Sequence, residues 1–297
     1  MRIGDLLERR RPCLSFEFFP PKTAAGVETL MATVKALRIL NPGFISVTYG
    51  AGGSSRVRTL EVVKRIKTEL GIEAMAHLTC VGSTRDELRT LLRELETAGI
   101  ENIMALRGDP PKGDEAFTAV EGGLRYATDL IAFLAGEFSF CVGAGAYPET
   151  HPEALSSTDD VRVAVAKVAA GANFLVTQFF FDNEAYFRYV DRLRWEGVTV
   201  PIIPGIMPIT SYDAIGRMTR MSGARIPQRL LAELEARIDE PEAVLELGVA
   251  YCAVQCRELL ARGAPGLHFY TLNKSTATRA VVSALIAANA VHELVPG

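Results

Sequence analysis

The sequence predicts an α/β fold: a closed (β/α)8 barrel (TIM barrel) with extra helices between strands 7 and 8. Three observations support this prediction. Short apolar runs of strand length recur along the chain, segments of helical periodicity lie between them, and glycines follow most of these segments. Strict alternation of strands and helices is typical of parallel strands joined by crossover helices. The 297 residues suit one barrel domain over residues 1–297, because no linker of low complexity divides them.

The predicted strands are short and rich in β-branched and aromatic residues. They are Leu14–Phe19, Phe44–Thr48, Ala74–Thr79, Ile103–Leu106, Phe140–Ala144, Phe174–Phe179, Pro201–Ile203 and Leu267–Thr271. Barrel strands pack against helices on one face and a filled interior on the other. Each strand should therefore be apolar on both faces.

The intervening segments have the spacing of amphipathic helices: Val27–Leu40, Arg58–Leu70, Arg85–Ala98, Gly123–Leu134, Val161–Ala170 and Glu184–Glu196. Five of them are predicted to end at a glycine, namely Gly71, Gly99, Gly136, Gly171 and Gly197. Cap residues and acids at 83–87 and 156–160 mark two helix starts. Between strands 7 and 8 there is room for one or two extra helices and a long helix from about Pro241 to Arg262.

The composition excludes several classes of protein. Hydrophobic residues make up 48% of the chain and charged residues 23%, which is typical of a globular protein. A net charge of -3 predicts no nucleic-acid partner. No apolar run reaches the roughly 18 residues of a membrane span, and the first residues lack a signal peptide's apolar core, so a cytoplasmic protein without membrane partners is expected. Neither the five cysteines nor the four histidines have metal-site spacing, so no metal is predicted.

Polar residues interrupt several strands at alternate positions near their carboxyl ends. They are Ser15 and Glu17, Ser46 and Thr48, His77 and Thr79, and Gln178. Alternate residues of a strand share a face, and a barrel places its active site at the carboxyl ends of its strands. Any one Ser or Thr is more simply explained as satisfying a neighbour. The whole set, however, predicts a site.

Glu17 is the sharpest candidate in this set. Aromatic residues and two prolines flank it in SFEFFPP, and desolvation raises the pKa of a carboxyl group, which would keep a proton donor available near neutral pH. A salt-bridged structural glutamate is the alternative. Asp109, in RGDPP, could oppose positive charge on a ligand, although this pattern alone also fits a tight turn. The glycine-rich segments at 143–147 and 50–54 lack the complete fingerprint of a dinucleotide site or a P-loop.

Eight motifs, in order along the chain, closely resemble the methylenetetrahydrofolate reductases. They are SFEFFPPK (15–22), SVTYGAGG (46–53), AHLTC (76–80), ALRGDPP (105–111), AYPETHPEA (146–154), TQFFFD (177–182), PGIMPI (204–209) and HFYTLNKS (268–275). The resemblance runs from about residue 10 to about residue 285, and the length fits the short bacterial type, which has the catalytic barrel only. It implies FAD-dependent reduction of 5,10-methylenetetrahydrofolate to 5-methyltetrahydrofolate. NAD(P)H would be the electron donor, with ping-pong hydride transfer through the flavin.

The resemblance also implies roles for individual residues. Glu17 would be the proton donor at the pterin N5, Asp109 the acid beside flavin and pterin, and Gln178 a hydrogen-bond partner of the folate. Lys274 would bind folate where other bacterial members have an arginine, and Met218 stands where they have a stacking phenylalanine. The implied flavin site comprises Thr48, Tyr49, Ala51, His77, Arg107, Gly108, Asp109, Tyr126, Ala127, Tyr147, His151, Ala154, Asp160 and Lys167. Without the resemblance, Asp160 and Lys167 would be interpreted as a solvated helix face.

The resemblance also implies a homo-oligomer, either a dimer or a tetramer, and does not distinguish NADH from NADPH. Two other hypotheses remain open. One is a flavin- or folate-binding protein that takes electrons from another protein, and the other is a barrel lyase that binds a pterin or a phosphate.

Overall fold

The computed structural model describes residues 1–9, 12–49, 53–110 and 117–291. Eight parallel strands form a closed barrel in sequence order, which confirms the predicted fold. The strands are β1 Cys13–Phe18, β2 Phe44–Val47, β3 Glu73–Thr79, β4 Asn102–Leu106, β5 Cys141–Ala146, β6 Phe174–Phe179, β7 Ile202–Ile206 and β8 Gly266–Tyr270. β1 pairs with both β2 and β8, which closes the barrel.

Helices connect the strands and cover the outside of the barrel. They are α1 Ile3–Arg9, α2 Ala24–Leu37, α3 Gly53–Leu70, α4 Arg85–Thr97, α5 Ala127–Glu137, α6 Ser157–Ala169, α7 Asn183–Trp195, α8 Tyr212–Ser222, α9 Gln228–Glu235, α10 Pro241–Ala261 and α11 Thr276–Ala287. Two predicted starts are confirmed, since Thr84 caps α4 and Ser156 caps α6 through side-chain oxygens that accept backbone N–H groups. α8 to α10 are the extra helices between β7 and β8.

One predicted helix end is wrong. α5 runs through Gly136 to Glu137, and the positive φ angles that end other helices at Gly71, Gly99 and Gly197 do not occur at Gly136. The helix also starts later than predicted, at Ala127. The observed helix is therefore shifted towards the carboxyl terminus relative to the predicted Gly123–Leu134, and Gly136 lies inside its last turn.

The barrel interior has an apolar lower half and a polar upper half. Helix α1, which is not among the predicted helices, places Ile3, Leu6 and Leu7 against inward-facing residues such as Phe44 and Phe174. These side chains fill the amino-terminal end of the barrel. The polar side chains of the interior are thereby concentrated towards the carboxyl ends of the strands.

The outward-facing residues of the strands form the largest apolar core with the surrounding helices. In β1, Leu14, Phe16 and Phe18 belong to this outer core, whereas Ser15 and Glu17 face the interior. A separate apolar cluster joins the end of β7 to α8, α9 and α10. Within the described ranges, none of the helices combines the length and the apolar character needed to cross a membrane.

Candidate active site at the carboxyl ends of the strands

A cavity of about 890 Å³ opens at the carboxyl ends of β3 to β6. This volume lies near the upper end of the range for small-molecule sites, roughly 300–1,000 Å³. The structure brings twelve of the predicted site residues to its wall: Tyr49, Arg107, Gly108, Asp109, Tyr126, Ala127, Tyr147, His151, Ala154, Asp160, Lys167 and Gln178.

The other predicted residues lie elsewhere. Glu17 and His77 face the barrel interior from β1 and β3, and Thr48 directly follows β2. Lys274 is exposed in the segment after β8. Ala51 lies outside the described residues.

The carboxylate of Glu17 lies in a buried polar cluster rather than among aromatic carbon. His268 Nε2 is 3.2 Å and His77 Nε2 is 3.3 Å from Glu17 Oε2, and the hydroxyl of Ser46 donates to the same oxygen over 3.4 Å. Glu17 is only 9% exposed. Because strand residues alternate between faces, its aromatic neighbours in sequence point outward.

This environment determines the charge of Glu17. Burial raises the pKa of the carboxyl group, but the charge of His77 and hydrogen bonding from His268 lower it by more, and the pKa falls to about 2. The expected increase of this pKa is therefore wrong. Desolvation is visible from the flanking residues, whereas the two imidazoles come from strands far away in the chain.

Asp160 and Lys167 form a buried polar pair on α6, so a solvated helix face does not describe them. Asp160 is 6% and Lys167 9% exposed. Lys167 Nζ donates to the carbonyl of Gly145 over 2.7 Å, and Asp160 accepts from the backbone N–H of His151 over 2.7 Å. Burial lowers the pKa of Lys167 to about 8, although the Asp160 charge opposes this effect.

The loop after β5 holds two aromatic rings at the cavity wall. Tyr147 and His151 meet edge to face, with ring centroids 4.5 Å apart. His151 Nδ1 accepts from the backbone N–H of Glu153 over 3.0 Å, so the neutral ring carries its proton on Nε2. Burial lowers the pKa of His151, which favours this neutral form. Burial also raises the pKa of Tyr147 to about 12.

Arg107 spans the cavity wall from the end of β4 to the loop after β5. Its two terminal nitrogens donate to both carboxylate oxygens of Glu153, over 2.5 and 2.7 Å. This bidentate contact between Arg107 and Glu153 fixes the guanidinium in position. Gly108 follows with a φ of 87°, and a Cβ there would lie 2.6 Å from a methyl group of Val81. Glycine is therefore required at this turn.

A register shift in the sheet sets the position of Gln178. β6 and β7 pair regularly up to Val176, and the register then shifts before Phe179. Such irregularities often redirect a side chain beside an active site. The hydroxyl of Tyr270 donates to the carbonyl of Thr177 over 2.7 Å. Gly205 packs against the same carbonyl, and a Cβ at Gly205 would lie 2.1 Å from its oxygen.

The segment after β8 is tied to the segment after β1. The side chain of Asn273 accepts from the backbone N–H of Phe19 over 2.8 Å and donates to its carbonyl over 2.9 Å. Asn273 has a φ of 59°, a conformation that asparagine tolerates better than most residues. This contact positions the neighbouring Lys274. Met218 lies on α8, partly buried against the apolar cluster of α8 to α10.

Several polar residues of this region were not among the predicted site residues. His268 and Tyr270 belong to β8, and Glu153 belongs to the loop that carries His151. A usable signal existed, because His268 and Tyr270 alternate in β8 as Ser15 and Glu17 do in β1. The side-chain contact from Arg107 to Glu153 joins residues 46 positions apart and has no local signal.

Sequence comparisons with known proteins show which family the chain belongs to. A family model described as methylenetetrahydrofolate reductase matches residues 2–286. The 5,10-methylenetetrahydrofolate reductase of Escherichia coli (strain K12) is 41% identical over 273 residues, covering 92% of this chain and 90% of that protein. Methylenetetrahydrofolate reductase (NADH) 1 of Arabidopsis thaliana is 38% identical over 283 residues, covering 92% of this chain and 48% of that protein. The chain thus spans about half the length of the plant relatives that it matches.

Among solved structures, an uncharacterized protein from Clostridium thermocellum that binds two copies of 5-methyl-5,6,7,8-tetrahydrofolic acid superposes with a TM-score of 0.67. It is 18% identical, and the match covers 99% of each chain. At this identity the likeness shows the fold alone. The family match and the 41% identity to a protein of similar extent show that the chain belongs to the methylenetetrahydrofolate reductase family.

Proposed function

We propose that this protein reduces 5,10-methylenetetrahydrofolate to 5-methyltetrahydrofolate, with FAD as cofactor and NAD(P)H as electron donor. The observation that carries the proposal is the position of Glu17. Its buried carboxylate contacts two imidazoles at the carboxyl end of the barrel. The cavity at the same end of the barrel is lined by twelve residues that the family resemblance assigns to flavin or folate. Family membership and the names of the relatives support the same reaction.

The cavity has features that fit FAD. The amino-terminal end of α5 contributes Tyr126, Ala127 and Thr128 to the wall, and helix amino termini favour phosphate groups. Lys167 adds a buried cation, which a negatively charged ligand would stabilise. Gly145 brings bare backbone to the wall, where a Cβ would meet only one side-chain atom, at 3.5 Å. A flat ring system can approach the backbone closely at such a position.

The proposed reaction requires one proton. FAD, when bound, supplies the two-electron chemistry, accepting hydride from NAD(P)H and donating it to the folate in alternating, ping-pong half-reactions. The folate ring must first open to an iminium cation. The methylene carbon stays on N5 in a 5-methyl product, so the bond to N10 breaks and the proton must reach N10. The proton acceptor is therefore N10 rather than the N5 expected from the resemblance. We assign delivery of this proton to Glu17.

Asp109 and Gln178 are proposed to bind and stabilise the folate. Asp109 is exposed at the cavity wall, where its negative charge would stabilise a cationic folate. Gln178 Oε1 accepts from the backbone N–H of Phe179 over 3.0 Å. This contact directs the amide nitrogen away from the strand and leaves it as a donor for a ligand. Lys274 is a further candidate to bind folate, as a point charge rather than a bidentate donor.

The experiment that tests this function separates the two half-reactions by stopped-flow absorbance of the flavin. Glu17→Gln should keep reduction of the flavin by NAD(P)H within about threefold. It should slow reoxidation by 5,10-methylenetetrahydrofolate by a factor of about 10² to 10⁴, the usual contribution of a general acid. Glu61→Gln, an exposed change on α3, is the matched control. Equal slowing of both half-reactions by Glu17→Gln would contradict the assigned role.

The electron donor and the assembly are tested separately. Single-turnover reduction with NADH and with NADPH gives the preference of this chain. Size-exclusion chromatography with light scattering tests the proposed dimer or tetramer, and a monomer at micromolar concentration would contradict it.

A further inference from the structure

We propose that His268 stores the proton that Glu17 delivers to the folate, and that Ser15 selects the tautomer of His268 that can release it. This inference rests on the proposed function and adds two positioning residues to it. Ser15 contacts His268 and His268 contacts Glu17, so both would act through Glu17.

The three residues form a buried chain. Ser15 and His268 are both 0% exposed. Ser15 Oγ lies 2.8 Å from His268 Nδ1, and His268 Nε2 lies 3.2 Å from Glu17 Oε2. Both ring nitrogens of His268 therefore have a partner, and the order from the interior outward is Ser15, His268, Glu17.

Counting hydrogens gives two possible arrangements of this chain. The single hydroxyl proton of Ser15 can go either to the carbonyl of Leu267, 3.3 Å away, or to His268 Nδ1. If it goes to Leu267, His268 Nδ1 must carry a proton and donate to Ser15. If it goes to Nδ1, the ring carries its proton on Nε2 and donates to Glu17.

A proton lies between His268 Nε2 and Glu17 Oε2 in both arrangements, because two bare acceptors would otherwise face each other at 3.2 Å. Only the first arrangement can release this proton. There the ring keeps its Nδ1 proton and is left as a neutral imidazole. In the second arrangement, loss of the Nε2 proton would leave an imidazolate. The hydrogen bond from Ser15 to Leu267 is therefore the contact that makes the proton mobile.

The two carboxylate oxygens of Glu17 have different surroundings. Among the described residues, the side-chain contacts of the carboxylate fall on Oε2, which faces His268, His77 and Ser46. The structure gives Oε1 no hydrogen-bond partner from the described part of the chain. The proton thus arrives at Oε2, and the two-fold freedom of the last side-chain torsion can bring it to the position of Oε1.

Few ionisable groups compete for this proton. Among the described residues, Glu17 from β1 and Tyr270 from β8 contact His268, and His77 from β3 contacts the same oxygen of Glu17. Phe44 of β2 stacks on the ring, with centroids 5.8 Å apart, and seals it from below. Burial raises the pKa of Tyr270 well above its ordinary value, so the phenol stays protonated and supplies no proton at neutral pH.

The proposed transfer moves one proton from His268 through Glu17 to N10 of the folate. The N–H bond at His268 Nε2 breaks and an O–H bond forms at Glu17. That O–H bond then breaks as N10 gains the proton and its bond to the methylene carbon opens. Glu17 ends as a carboxylate and His268 as a neutral ring. The pair regains one proton from solvent through Glu17 after the product leaves.

The first test is the pH dependence of flavin reoxidation by 5,10-methylenetetrahydrofolate. In the wild-type protein the rate should fall as the pH rises through the neutral range, by up to about tenfold per pH unit, because the stored proton is then lost to solvent. His268→Gln can still donate an amide hydrogen to Glu17 but cannot release a proton. It should slow this half-reaction by about 10² and abolish its dependence on pH in this range.

Thr271→Val is the matched control. The Thr271 hydroxyl donates to the backbone carbonyl of Glu17 over 2.6 Å, so this change disturbs the same strand pair without touching a stored proton. Its rate can change, but the shape of its pH profile should match that of the wild type. If Thr271→Val alters the profile as His268→Gln does, packing rather than a stored proton sets it, and the inference is overturned.

The second test needs no turnover. The ¹⁵N chemical shifts of the His268 ring show which nitrogens carry protons. Nδ1 should be protonated in the wild type at neutral pH, and Ser15→Ala, which removes its acceptor, should change that signal. Identical ring signals in the two proteins would overturn the role of Ser15. A wild-type protein that never oxidises reduced flavin with the folate would instead refute the proposed function, whereas an unchanged pH profile in His268→Gln refutes only the storage of the proton.

Discussion

Lys167 is predicted to destabilise the ligand-free protein. Its side chain is 9% exposed, and burial lowers its pKa from the ordinary 10.5 to about 8. Because the folded state holds the lysine proton less tightly than the unfolded state does, the charged form opposes folding. Lys167→Met keeps most of the length and apolar contact of the side chain and removes the charge.

The expected effect follows from the two pKa values. The pKa of Lys167 is 10.5 in the unfolded state and about 8 in the folded state. At about 1.36 kcal/mol per pKa unit, this difference lowers the free energy of unfolding at pH 7 by about 3 kcal/mol. The carbonyl of Gly145 loses its donor in the variant, which costs about 1 kcal/mol. The free energy of unfolding of the ligand-free protein should therefore increase by about 2 kcal/mol in Lys167→Met.

The pH dependence has a definite sign. Below pH 8 both states of the wild type are protonated at Lys167, and the penalty is complete. As the pH rises from 8 towards 10.5, the folded state loses the proton first and the penalty disappears. The stability advantage of Lys167→Met should shrink over this interval, while binding of FAD should be weaker in the variant at pH 7, where Lys167 is charged.

Urea unfolding of the ligand-free proteins measures the first effect, and titration with FAD measures the second. Lys35→Met, an exposed change on α2, controls for the loss of a lysine as such. A less stable Lys167→Met protein at pH 7, or an advantage that grows with pH, would refute the reasoning from burial.

Two further predictions concern the backbone at the site. Gly205→Ala places a Cβ 2.1 Å from the carbonyl oxygen of Thr177 and should lower the free energy of unfolding by about 3 kcal/mol, whereas Gly136→Ala, with open space around it, should raise it by up to about 1 kcal/mol. Equal effects in urea unfolding would contradict the contact geometry. Asn273→Ala removes two hydrogen bonds to Phe19 at a positive φ and should cost about 2 kcal/mol, and Asn273→Gly should cost less because glycine adopts this φ freely. A glycine variant less stable than the alanine variant would show that backbone strain is not part of the effect.

The fold could be predicted because it depends on local patterns. Apolar runs and helical segments alternate, and each of the eight predicted strands overlaps an observed one. Capping residues such as Thr84 and Ser156 act within one helical turn, so their role is visible in the sequence. Gly136 failed as a helix end because a glycine within a helix and one after it look alike in the sequence.

The electrostatics of the site could not be predicted in the same way. Glu17 and His268 are 251 residues apart, and barrel closure between β1 and β8 brings them together. The residues flanking Glu17 suggested an apolar environment, although strand alternation sends Phe16 and Phe18 to the other face. Strand alternation and the resemblance selected the candidate residues, while the low pKa of Glu17 needed the three-dimensional arrangement.

The most direct measurement for the proposed function is an anaerobic experiment on the purified, FAD-loaded wild-type protein. The flavin is first reduced with NADH or NADPH and is then mixed with 5,10-methylenetetrahydrofolate in a stopped-flow instrument. The return of the oxidised flavin spectrum, with one 5-methyltetrahydrofolate formed per flavin, is the predicted result. A flavin that stays reduced in the presence of the folate, or a protein that binds no FAD, would contradict the account.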